Sequence, residues 1–267
     1  MTETSAAGNQ RVNPVNTTAV PDEASSEVNL VDRVYRRLRT DIIEARFQAG
    51  APLRERELAE RLQVSRVPIR EALPRLEAGG FVRIEPRRPA VVTHVSFDDL
   101  DELFELRAPI EATVARLAAA RVAEGADPAP LLDLLAEARN ALRATDPHAT
   151  DPHATDSRVT GPDARAAADA HEHFMCCNGQ LHAQIVALAG NPLLEQVIAP
   201  LADRTDRLNS VSQHRDRTSR HEEHVLLVEA IATGNTELAG SCAVVHIERE
   251  RRRAMAALPA HPHFAGR

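Results

Sequence analysis

The sequence predicts a mainly α-helical chain of two domains: a small helical head carrying a β-hairpin, then a larger all-α antiparallel bundle. Three observations predict this. Apolar residues recur at helical spacing over most of residues 30–257. Ala, Leu and Val dominate while aromatic residues make up 3% and Trp is absent, which suits closely packed helices. One β-prone pair, F-V-R-I-E-P at 81–86 and A-V-V-T-H-V at 90–95, is separated by R-R-P and reads as a hairpin.

Residues 1–28 are polar, contain Pro and show no period, so a disordered tail is expected. The head is expected over 29–95. In it, 30–46 reads as an amphipathic helix with Leu30, Val34, Leu38 and Ile42 on one face. Gly50 and Pro52 mark 47–53 as a turn. A short helix follows over 55–62. Ser65 is placed to cap the next, Pro68 sits in its first turn, and Gly79-Gly80 end it. Pro74 lies inside that helix and removes a hydrogen bond to the Arg70 carbonyl, at a nominal cost of roughly 3 kcal/mol.

The bundle is expected over 97–257, with helices at 98–123, 129–144, 164–189, 192–214, 219–233 and 236–257. Between the second and third, D-P-H-A-T repeats at 146–155, and its prolines predict a disordered loop near 145–163. His148 and His153 there read as parts of a solvated repeat rather than a metal trap. Residues 258–267 are expected to form a tail.

No run of 18 apolar residues suggests a membrane span, and the first 29 residues lack a basic start and apolar stretch. Cys176, Cys177 and Cys242 are odd in number and without framework spacing, which predicts reduced thiols and a cytoplasmic protein. All 32 basic residues are Arg, and the net charge is −7. That total argues against nucleic-acid binding along the whole chain. Residues 30–93, however, hold 14 Arg against 9 acidic residues, a balance of +5 that leaves −12 for the rest. Such asymmetry predicts a basic nucleic-acid-binding half and an acidic half.

The stretch A-P-L-R-E-R-E-L-A-E-R-L-Q-V-S-R-V-P-I-R-E-A-L-P-R-L-E-A-G-G-F-V at 51–82 carries L-x-E-x-x-L-A spacing, V-S-R-x-P-I-R-E-A-L and R-L-E-x-x-G. It resembles the winged helix-turn-helix of the GntR family of transcriptional regulators. Arg66 and Arg70, four apart on one face, suit guanine edges in the major groove. The resemblance adds Arg56, at the end of the preceding loop, and Ser65 as DNA contacts, and makes Leu58, Leu62, Ile69, Leu73 and Leu76 the core. The family usually has Gly at the wing tip; here Pro89 matches it, which shifts wing contacts toward Arg87 and Arg88.

In the bundle, Phe174, Asn178, Leu181, His182, Ile185 and Ala189 share one stripe. His224 lies on a second helix with Leu227, Val228 and Ile231, and His246 on a third with Ala239 and Ala243. Three imidazoles aimed inward from three helices suit a divalent metal. The segments N-G-Q-L-H-A-Q-I-V-A-L-A-G-N-P-L-L, E-E-H-V-L-L-V-E-A-I and A-V-V-H-I resemble the FCD domain of the FadR subfamily of GntR regulators. That likeness implies zinc, nickel or another divalent ion on Asn178, His182, His224 and His246, with Asn178 standing where Asp is usual. Arg107 lies on the apolar face of Leu100, Leu103, Ile110, Val114 and Leu117. Two readings stay open for it, an ion pair with Glu111 or an anchor for an effector carboxylate, and the resemblance favours the second.

Together these features predict a homodimeric DNA-binding regulator on a palindromic operator, a repressor by the family's leaning, controlled by a small carboxylate effector. The rivals are a metal-dependent hydrolase built on the three His, for which neither H-E-x-x-H nor a suitably spaced second carboxylate is seen, and an architectural DNA-binding protein without an effector.

Overall fold

The computed structural model describes residues 23–145, 162–209 and 217–265. The head consists of α1 (Glu23–Ile43), β1 (Pro52–Leu53), α2 (Glu55–Leu62), α3 (Arg66–Ala78), β2 (Val82–Arg83) and β3 (Ala90–Val92). Leu38, Ile42, Leu58, Ile69, Leu73, Leu76 and Phe81 form its buried core, and Leu62 packs against it half-buried. Gln63, with φ of 54°, ends α2 in a left-handed turn that aims α3 across it.

The hairpin gains a strand that the sequence reading placed in a turn. β3 lies between β1 and β2, both antiparallel to it, with Leu53 opposite Ala90 and Val82 opposite Val92. A two-residue strand is too short to show alternation. The cap differs as well: Ser65 holds extended backbone before α3, but its side chain makes no capping hydrogen bond. Helix α1 begins at Glu23, inside the stretch expected as a tail.

The bundle contains α4 (Phe97–Ala123), α5 (Ala129–Thr145), α6 (Pro162–Ala189), α7 (Pro192–Asn209), α8 (Arg217–Ala232) and α9 (Thr236–Ala257). Ser96 and Asp99 form a reciprocal capping box that starts α4, and Asn235 caps α9 through Leu238 N–H. Val114, Ala118, Leu181, Ile185, Val228, Ile231 and Ala243 close a core among α4, α6, α8 and α9. The D-P-H-A-T repeat and residues 210–214 of the helix expected over 192–214 lie outside the described residues.

Residues 258–265, expected as a tail, fold back instead. A 3-10 turn, Leu258–Ala260, leads to a parallel bridge between Phe264 and Val95, and the Phe264 and Phe97 rings meet edge-on at 5.2 Å. His263 Nε2 lies 2.9 Å from the Phe47 carbonyl, and His261 Nε2 lies 3.0 Å from that of Arg207. The segment thereby fastens bundle to head.

Helix α7 makes a second fastening. Tyr35 of α1 donates to Asp203, and Arg39 pairs with Asp203 at 3.0 Å and also with Asp206. Arg207, nearly buried and pushed down to about 10 by burial, donates to the carbonyls of Gly80 and Thr93.

Candidate functional site

Two regions hold the candidate residues. On the head, Ser65 and Arg66 open α3 and are exposed. Arg70 lies one turn on, 3.0 Å from Glu55. Val67, missed in the sequence reading, is 57% exposed between them. An apolar side chain left bare at the start of such a helix suits a thymine methyl; exposure, which periodicity alone does not give, is the signal. Arg56 stands in the first turn of α2 rather than in the preceding loop, with Glu60 at 3.5 Å. Arg87 and Arg88 are exposed at the hairpin tip, where Arg88 pairs with Glu85 at 2.9 Å. The left-handed residue of that tip is Arg87, φ 64°, two positions before Pro89.

In the bundle, α6, α8 and α9 bring His182, His224 and His246 together. Ring centroids are 5.0 Å apart for His182 and His224, 5.4 Å for His182 and His246, and 4.7 Å for His224 and His246. One nitrogen from each lies within 4.8 Å of the others. Burial pushes His182 down to about 4 and His224 well below the usual imidazole range, so both are neutral with a lone pair available at pH 7. His246 Nδ1 donates to Glu223 Oε2 at 2.9 Å, which leaves its Nε2 as the free lone pair.

The donor set fits a divalent cation. His224 Nε2 and Asn178 Oδ1 are both buried with no hydrogen-bond partner among the described residues, a costly state that a bound cation relieves. Asn178 brings an oxygen but no charge. The nearby carboxylates are occupied: Glu111 by Arg107, Glu223 by Arg253 and Glu250 by Arg220.

Arg107, Glu111, Asn178, His182 and His246 line a cavity of about 560 Å³. Arg107 realises the ion pair, with Nε 2.8 Å from Glu111 Oε1, yet its Nη1 is buried without a hydrogen-bond partner among the described residues. Burial raises the Glu111 carboxyl, but the Arg107 charge and the neighbouring imidazoles hold it below its ordinary value. Leu201, Ala202, Thr205 and Asp206 of α7 form another wall, so the helix pinned to the head also bounds the cavity.

Comparison with known proteins gives a match for each domain. Residues 30–92 match bacterial regulatory proteins of the gntR family, and residues 102–249 match the FCD domain. The chain is 38% identical over 92 residues to the HTH-type transcriptional repressor RspR of Escherichia coli, a stretch spanning 34% of this chain and 40% of that repressor's length. It is 24% identical over 235 residues to the HTH-type transcriptional regulator BphR of Paraburkholderia xenovorans, covering 86% of this chain and 87% of that protein. The solved structure of E. coli McbR/YncC shares the fold, with a TM-score of 0.62 at 20% identity over 85% of this chain and 97% of that one.

Proposed function

The chain belongs to the GntR family of bacterial regulatory proteins and carries an FCD domain, and on that premise we propose that it is a homodimeric repressor released or retained on its operator by a small carboxylate bound beside a divalent metal. Regulators of this family bind DNA, and FCD domains take small effectors and dimerise. Arg66 and Arg70 read bases from α3, Ser65 and Arg56 hold the backbone, and Arg87 and Arg88 reach from the hairpin tip. Asn178, His182, His224 and His246 hold zinc or nickel. Bound there, the ion supplies positive charge and open coordination positions for an anion.

One observation carries the reading. Arg107 Nη1 and Asn178 Oδ1 are unsatisfied polar atoms of residues lining one cavity, whose α7 wall is tied to the head. An effector carboxylate satisfies Arg107 Nη1 without breaking its bond to Glu111. Filling the cavity bears on Thr205 and Asp206, and Asp206 is paired with Arg39 of α1. The ligand then favours whichever placement of the heads gives it the better cavity, and operator affinity follows by population shift.

Selection of duplex DNA from a random pool tests this. An inverted repeat should emerge, bound by two chains and lost in Arg66→Ala, and its affinity should respond to carboxylates only when metal is present. Enrichment of no sequence, or of one that Arg66→Ala binds equally well, overturns the reading.

A further inference from the structure

A second group of donors lies on another face of α6. Cys177 is almost fully buried and packs with Phe174, Ala138 and Ala141 where α6 meets α5. One turn earlier on α6, His173 Nε2 is 3.7 Å from its Sγ. From α5, Glu137 Oε2 approaches the same sulfur to 3.9 Å. The three donor atoms lie within 4.8 Å of one another.

From these distances we infer that Cys177, His173 and Glu137 form a second divalent-metal site, one that takes a thiolate-accepting ion such as zinc or cobalt. Tetrahedral zinc with ordinary Zn–S, Zn–N and Zn–O lengths sets its S···N and S···O donors about 3.6 Å apart. The observed separations are within a few tenths of an ångström of that, on side chains free to close the difference. The pairing of soft sulfur with imidazole and carboxylate suits zinc over calcium or magnesium. His173 and Glu137 are exposed, so the ion enters from solvent and keeps an open position for water. Binding exchanges the thiol proton for the metal, one proton leaving to solvent.

The site is separate from the three-histidine centre. His173 and Asn178 are five residues apart, which turns their side chains about 140° around the α6 axis. One set therefore faces α8 and α9 while the other faces α5. Cys176, the adjacent thiol, is exposed and accepts from Gln180 Nε2 at 3.4 Å, away from the group. An ion at Cys177 clasps α5 to α6.

Cobalt(II) distinguishes the two sites, because only the second offers sulfur. The full chain, stripped with chelator and titrated with cobalt chloride, should bind two ions, one with a sulfur-to-cobalt charge-transfer band in the near ultraviolet. Cys177→Ser should remove the band and one ion, and Cys176→Ser neither. His173→Ala, at an exposed position, should lower affinity for the banded ion by about tenfold or more. His224→Ala should lose the other ion and keep the band; if it keeps both ions, the three-histidine reading fails and this one stands. No band in the folded parent with excess cobalt, or a band that survives Cys177→Ser, overturns the second site and leaves Cys177 as a small core residue.

Discussion

His246 Nδ1 and Glu223 Oε2 lie 2.9 Å apart with both side chains almost wholly buried. The contact fixes which imidazole nitrogen carries the proton. Burial alone raises the Glu223 carboxyl, but bonds from His246 and Arg253 and the Arg253 charge bring it down to about 2. Glu223→Gln should therefore weaken zinc about 10–100-fold, since the amide can donate to the ring and reverse its tautomer. Competition against a chromophoric chelator measures this, and parental affinity in the variant counts against any orienting role.

Asn178→Asp should tighten the same centre by supplying the missing negative charge, whereas His224→Ala should leave it empty. Isothermal titration with zinc, with the Cys177 site already removed by Cys177→Ser, reads both. Unchanged binding in Asn178→Asp would place Asn178 outside the metal's reach.

Arg66→Ala or Arg70→Ala should each cost about 1–3 kcal/mol on a specific operator and little on random duplex. Arg70 must exchange Glu55 for a base edge, so Glu55→Gln should bind no worse than the parent. Gel-shift titrations at fixed salt compare the three. Equal losses on operator and random DNA would make the two arginines phosphate contacts rather than base readers.

Asp203 ties α7 to Tyr35 and Arg39 of the head. Asp203→Asn should destabilise the protein by about 1–3 kcal/mol and reduce the influence of cavity ligands on DNA affinity. Calorimetry is expected to show head and bundle melting less cooperatively, with zinc binding unchanged. A variant that melts like the parent means that this contact carries no coupling.

Acid should loosen the clasp made by the C-terminal segment. His261 accepts from the His263 N–H at Nδ1 and faces the Arg207 carbonyl with Nε2, and burial pushes it from 6.5 down to about 4. The unfolded chain then takes up protons that the folded one refuses. Stability is whole above pH 6.5, falls as the pH drops toward 4, and gains no further loss from this group below that. Urea melts of metal-free protein across this window should show the decline, shallower in His261→Asn. An identical slope in that variant assigns the decline to the other histidines that burial pushes down, His182, His221, His224 and His263.

The sequence by itself determined the helices, their inward faces and the residues on them. Helical period is a local property, repeating every 3.6 residues, so a single stretch suffices to place His182 beside Leu181 and Ile185 or Arg66 one turn before Arg70. The tertiary structure alone decided what those faces meet. Whether Arg107, within helical reach of Glu111, still has a donor to spare, whether Glu223 reaches His246, and whether Cys177 meets Glu137 across 40 positions depend on how helices dock. The same holds for β1, too short to carry a period, and for residues 258–265, whose order comes from Val95, Phe47 and Arg207 far back in the chain. Contacts between distant segments are fixed by packing angle and side-chain shape, and neither leaves a periodic trace in the sequence.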